Sequence, residues 1–336
     1  MPATPAAEEA PAFVLKWGGE VTEGVKWFNP RGVAVDYLDN IYVTDGNNNC
    51  IKKFNGSGQL ITQWDSSKGS TSRFWSSFLN KISIDRFGTI YVTGAGIDSS
   101  VHKFSNSGNF IISWGSRGNL DSQFYDAQGM AFDSWNNIYI ADAANHRIQI
   151  FDSSGKYITK WGSEGNGDGQ FNYPCDLAID SSDNIYVSDT YNRRIQKFSS
   201  SGDFITKWGT LGSGKGQFSL PLGIAIDTKG YVNVCDLGNF CIQKFNTTGE
   251  FIARWGSEGT GNGQFKGPSD ITFDSKGYIY VLDNQLHNVQ KFDPNPKASI
   301  TDKYGPWFVW TVIATLLGLI IAVSFLLIKR STHHSR

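Results

Sequence analysis

Between residues 13 and 293 the apolar positions fall into short runs, each closed by a cluster of Asp, Asn, Ser and Gly. One passage shows the pattern clearly: Leu177–Ile179, Ile185–Ser188, Ile195–Phe198 and Phe204–Trp208 are separated by DSSDN, DTYNR and SSSGD. Runs this short, rich in β-branched and aromatic residues and bounded by turn formers, predict strands rather than helices. Four of them in sequence predict an antiparallel meander. The unit repeats: Trp17, Trp64, Trp114, Trp161, Trp208 and Trp255 are spaced by 47, 50, 47, 47 and 47 residues. An isolated four-stranded sheet leaves an apolar face in water, and radial stacking of six such sheets covers every face. The expected fold is all-β, a six-bladed β-propeller of four-stranded antiparallel blades.

Counting strands refines this. With strands labelled a to d outward from the axis, strand a ends at Asp36, Asp85, Asp133, Asp180, Asp227 and Asp274, and strands b and c follow each time. Strand d follows only five of them, since VQKF (289–292) is succeeded by DPNPKASITDKYGP. The missing strand matches FVLKW at Phe13–Trp17, ahead of the first repeat. In a ring the first and last blades are neighbours, so this strand is expected to complete blade six in a 1+3 closure that removes a free edge.

The remaining chain divides by composition. Residues 1–12 read as a disordered leader without the basic start and apolar core of a signal peptide. Residues 294–306 form a proline-containing linker. Trp307–Ile328 is a block of 22 uncharged residues, about 33 Å as a helix and enough to span a bilayer. Trp307 and Trp310 suit an interfacial belt, and the basic tail 329–336 begins at once with Lys329 and Arg330. The expectation is one C-terminal transmembrane helix and a single-pass membrane location. Basic residues after the span place the propeller outside, the missing leader places it in the cytoplasm, and a cleaved C-terminal sorting signal is a third reading. Ala314, Gly318 and Ala322 recur every four residues, a spacing that permits a homodimer through the helix.

Charge excludes one class of partner. Residues 1–293 hold 25 Lys and Arg against 30 Asp and Glu, a net of −5, while 294–336 hold 5 against 1, a net of +4. A mildly acidic propeller has no general attraction for nucleic acid, so none is expected as a partner.

The consensus P-x-G-[IV]-A-[IV]-D, N-I-Y-V-[TS]-D, N-[HR]-R-I-Q-[KI]-F and G-x-F-I-x-x-W-G, clearest in NHRIQIF (145–151) and NRRIQKF (192–198), resembles the NHL repeat over residues 13–293. The resemblance implies a six-bladed propeller that binds partners. Some members bind RNA, some sit on tethered sensor or adhesion proteins, and one branch are peptidyl-amidoglycolate lyases. Blade two departs from the pattern: Gly94 replaces the second Asp, its b–c loop is longer, and Leu79, like Ala127 of blade three, stands where the other four blades carry Pro.

Chemistry-bearing groups are sparse. The paired aspartates, such as Asp180 with Asp189, recur in five blades and read as turn-fixing carboxylates. DGNNN (45–49) and GNGDG (165–169) lack the acids of a calcium loop. His102, His146 and His287 belong to hairpins of different blades, which does not suit a three-ligand zinc site. Cys235 and Cys241 flank one hairpin, either as a cross-strand disulfide or, with Cys50 and Cys175, as small apolar packers. No catalytic residue, metal ligand or cofactor is assigned.

Meander topology puts the b–c and d–a connections on one face and the a–b and c–d turns on the other. The last strand is a c strand, so the chain leaves by the a–b/c–d face and presents the b–c/d–a face away from the bilayer. A protein or glycan partner is expected there, on His146, Arg147, Tyr191, Arg193, Arg194, Phe240 and His287. The alternatives are a lyase- or lactonase-like, metal-dependent enzyme with a site at the central channel mouth, and an RNA-binding propeller. A channel lined uniformly by small and aliphatic residues would leave the binding reading alone. Converging titratable groups would favour the enzyme.

Overall fold

The computed structural model describes residues 10–19, 27, 29–64, 78–96 and 99–295. The anticipated transmembrane helix, basic tail, most of the linker and the leader up to residue 9 lie outside the described residues. Among the described residues no helix is long and apolar enough to cross a membrane.

Six four-stranded antiparallel sheets are present. Strand a runs Pro30–Val35, Phe78–Ile84, Ala127–Phe132, Pro174–Ile179, Pro221–Ile226 and Pro268–Phe273 in blades one to six. Blade six is ordered N-terminal strand, c, b, a. The N-terminal strand spans Ala12–Gly18, one residue longer at each end than the sequence pattern marked, and pairs Phe13 with Phe292 and Trp17 with Val289. The 1+3 closure is thus observed.

The core lies between blades. Trp17 packs with Val289, Leu282 and Tyr280 of blade six and with Val33, Ile41, Val43 and Phe54 of blade one, and equivalent clusters fill the other junctions. Two sets of carboxylates hold the turns. At the end of each strand a, one oxygen of Asp36, Asp85, Asp133, Asp180, Asp227 or Asp274 accepts the backbone N–H groups two and four residues on. The second aspartates, Asp142 and Asp189 among them, take the N–H groups of the preceding connection and side chains of their own hairpin. These pairs are architecture, as their recurrence suggests.

All four cysteines are buried, and Cys175, Cys235 and Cys241 are free thiols. Cys235 pairs with Ile242 and Cys241 with Asp236, so the two thiols point to opposite faces of the sheet and a bridge between them is sterically closed. Burial raises both thiols, that of Cys241 to about 12, and keeps them protonated.

Candidate functional site

The b–c hairpins turn on one residue whose backbone is left-handed: Asn49 (φ 47), Ser99 (φ 34), His146 (φ 54), Arg193 (φ 57), Phe240 (φ 55) and His287 (φ 54). In blades three to five a single 3-10 turn precedes it, over Ala143–Asn145, Thr190–Asn192 and Leu237–Asn239. The N–H of the left-handed residue returns to the first carbonyl of that turn. Asn145, Asn192 and Asn239 tie the turn to the preceding aspartate. An L residue in this region costs about 1–2 kcal/mol that glycine avoids. The backbone is the same in each copy, yet the side chain it presents differs.

At the junction of blades three and four the tips His146 and Arg193 border a pair of tyrosines. The rings of Tyr173 and Tyr191 stack at 5.1 Å and 25°. The Arg193 guanidinium lies 5.7 Å from the Tyr191 ring. The N–H of Tyr173 donates to His146 Nδ1 at 3.1 Å, and its hydroxyl donates to Asp126. Burial and the Asp126 carboxylate raise the Tyr173 hydroxyl, which therefore stays a donor. Tyr173 and Asp126 also hold positive φ, at 61° and 72°. Sequence reading did not single out these two residues. Phe240 and His287 stand on the tips of blades five and six.

Arg147 and Arg194, expected on the partner face, are buried instead. Both are 6 % exposed. Their Nε atoms donate to Asp142 and Asp189 at 2.7 Å, and three further N–H groups of each donate to the carbonyls of residues 119, 120 and 123 and of 166, 167 and 170. The planar fork clamps the connection that precedes its own blade and is buried rather than presented at the face.

The central channel departs from a uniform aliphatic lining. A cavity of about 370 Å³ runs among the inner strands. Most of its wall is aliphatic, but one level carries Lys81, Asp176 and Asp270, all buried. Lys81 Nζ lies 2.7 Å from Asp270 Oδ1 and 3.4 Å from Asp176 Oδ2, and donates to the Ser269 carbonyl at 3.3 Å. The second Asp270 oxygen accepts the Val33 N–H of blade one at 2.8 Å, and Asp176 accepts the Ile224 N–H of blade five at 3.1 Å. Desolvation pushes the Asp176 carboxyl up to about 6, with Lys81 pulling it down and Asp270 pushing it further up. The two carboxylates hold the Lys81 ammonium up against its own desolvation.

The signal for this level was in the repeat. The position two residues after Pro30, Leu79, Ala127, Pro174, Pro221 and Pro268 reads Gly32, Lys81, Gly129, Asp176, Gly223, Asp270: glycine in odd blades, charge in even ones. A Cβ on Gly32 would fall 2.9 Å from the Lys81 Cα, and one on Gly223 would fall 2.6 Å from the Asp270 Cα. Three side chains fit around the axis because the other three positions have none.

A divalent metal does not fit here. The two carboxylates turn toward the Lys81 ammonium, which already supplies the balancing positive charge, and no third anionic ligand converges among the described residues. His102 is buried in blade two, its Nε2 3.0 Å from Ser100 Oγ.

Family models match in two descriptions, "NHL repeat" over residues 29–54 and 218–245, and "6-bladed beta-propeller" over residues 131–190. No curated protein matches the sequence. Among solved structures, a virginiamycin B lyase from Staphylococcus aureus is similar at 16% identity and a TM-score of 0.58, over 83% of this chain and 98% of that one. A gluconolactonase from Xanthomonas campestris is similar at 14% identity and a TM-score of 0.59, over 87% and 99%. A protein of unknown function from Bacteroides thetaiotaomicron reaches a TM-score of 0.63 at 15% identity, over 80% and 70%. At these identities the likeness concerns the fold. The chain carries NHL repeats and folds as a six-bladed propeller.

Proposed function

We propose that this propeller of NHL repeats is a binding module, held at a membrane by residues 307–328, that engages a protein or glycan partner through its b–c/d–a face. The observation that carries the reading is the set of left-handed hairpin tips: one strained backbone, paid for in blade after blade, presenting His146, Arg193, Phe240 and His287 in turn. Strain of this kind persists where a side chain is wanted at a fixed place. The Tyr173–Tyr191 stack, with Arg193 on one side and Asp126 and His146 on the other, gives the face an amphipathic centre of apolar rings and directed donors. The test is capture of partners on the full chain, from surface extracts and from a glycan array, with wild type compared to Y191A/R193A and F240A. Retention of the same partners at the same affinity by both variants overturns the reading.

The channel favours a second reading. A buried carboxyl raised by desolvation to about 6 beside a lysine fits a general acid or base, and the cavity it lines is large enough for a small substrate. In that reading Asp176 exchanges the proton and Lys81 positions it, with no metal involved. The lyase and lactonase among the fold neighbours set the substrates to try, and turnover that D176N removes without unfolding the chain would establish it.

A further inference from the structure

The a–b turns lie on the opposite face, and half of them are unlike the rest. Their tips read Tyr37-Leu38, Arg86-Phe87 and Ser134-Trp135 in blades one to three, against Ser181-Ser182, Thr228-Lys229 and Ser275-Lys276 in blades four to six. Leu38, Phe87 and Trp135 are 65%, 64% and 82% exposed, and Tyr37 is 60% exposed. A feature of every blade is architecture; a run of exposed apolar tips on three adjacent blades is not required by the repeat.

The tips form one crescent. The Tyr37 ring lies against Gly88, beside Phe87. Arg86 stacks on the Phe87 ring at 4.8 Å and donates to the Ser134 carbonyl, next to Trp135. Each tip is held from beneath by a carboxylate: Asp36, Asp85 and Asp133 accept the N–H groups of Leu38, Phe87 and Trp135 at 2.9 Å. The backbone that carries the apolar groups is therefore fixed before any contact is made.

Two observations say what covers them. The described chain leaves by this face: Pro294 lies beside the Gly277 turn of blade six, 3.8 Å from where a Cβ there would stand. Beyond it come the 12 residues 295–306, spanning at most roughly 43 Å, and the 22 uncharged residues 307–328. The same face carries Arg86 and Lys229 at exposed turn positions beside the apolar tips, Lys276 paired with Asp39 at 3.4 Å, and the exposed acids Asp203 and Glu250 on the c–d turns of blades four and five. Trp, Tyr, Phe and Leu tips with scattered cations are the composition of a surface that enters the headgroup region of an anionic bilayer. We infer that the crescent Tyr37–Leu38–Phe87–Trp135 docks on a lipid surface and seats the propeller against the membrane. The inference rests on the anchor reading for the choice of lipid, since tethering raises the effective concentration of the bilayer at this face.

The test starts from the full chain, with a specific protease site placed in residues 296–303, reconstituted in phosphatidylcholine–phosphatidylglycerol vesicles. Before cleavage, co-sedimentation reports on the anchor. After cleavage, the released propeller, which is a compact unit with a closed ring, reports on the crescent. The wild-type propeller is expected to stay with the vesicles, and L38S/F87S/W135S is expected to lower its partition at least about tenfold. The three side chains are exposed, so the variant should melt like wild type. Equal release of wild type and variant overturns the inference even if the full chain is anchored. Self-association in the absence of lipid that the triple variant abolishes would identify a second copy as the occupant and overturn it as well.

Discussion

Lys81 of blade two reaches Asp270 of blade six at 2.7 Å, past the inner strand of blade one that separates them. It passes because Gly32 has no side chain at that level. The contact ties alternate blades across the axis, while the Asp270 bond to the Val33 N–H ties blade six to its direct neighbour.

Breaking that contact should be costly. K81M leaves two buried carboxylates facing each other without a cation, and stability is expected to fall by about 3–5 kcal/mol in denaturant unfolding. Neutralising the partners at the same time, in K81M/D176N/D270N, should recover most of the loss, because the penalty comes from uncompensated charge rather than lost packing.

The same site sets a pH dependence. The Asp176 carboxyl is raised from 3.8 to about 6, chiefly by desolvation, so between these values the folded protein holds a proton that the unfolded chain has released. Its contribution is full below pH 3.8 and is lost as pH rises through about 6. Asp36 and Asp180 act oppositely: burial works to raise them, but hydrogen bonds from Asn40 and Tyr42, and from Asn184 and Tyr186, hold them below 3.8, so their support is lost only in stronger acid. Stability measured against pH should decline above about pH 4, and D176N should flatten that decline.

Ring closure rests on Trp17. Its indole lies 6.0 Å from Phe54 and 6.1 Å from Tyr280, one in each of the blades that it joins. W17A is expected to cost about 3–5 kcal/mol, and a chain beginning at residue 19 should melt well below the whole propeller. Identical melting of the shortened chain would contradict the closure.

The hairpin tips predict a trade between stability and binding. R193G and F240G relieve a left-handed backbone and should raise stability by about 1 kcal/mol each while weakening partner capture. R194A should do the reverse of a tip substitution: it removes the clamp on residues 166, 167 and 170 and leaves Asp189 buried without its cation, so it destabilises the fold by about 3–5 kcal/mol.

Much of this protein was legible along the chain. Strand runs, turn clusters and a 47-residue period determine six blades, because period-two alternation and turn chemistry are local. The closure was legible as well, since a count of d strands comes out one short after VQKF and one over at FVLKW. What only the tertiary structure decided is which polar residues meet. Arg193 and Arg194 are neighbours in sequence, yet successive residues here take a left-handed tip and an inward strand position, so one is presented and the other is clamped. Lys81, Asp176 and Asp270 are separated by nearly a hundred residues each and come together because six inner strands converge on one axis. The same radial geometry gathers Tyr37, Phe87 and Trp135 on the opposite rim. A repeat specifies its own turns by short-range bonding, but the side chains that repeats share across the ring are set by closure, and closure is a property of the whole ring.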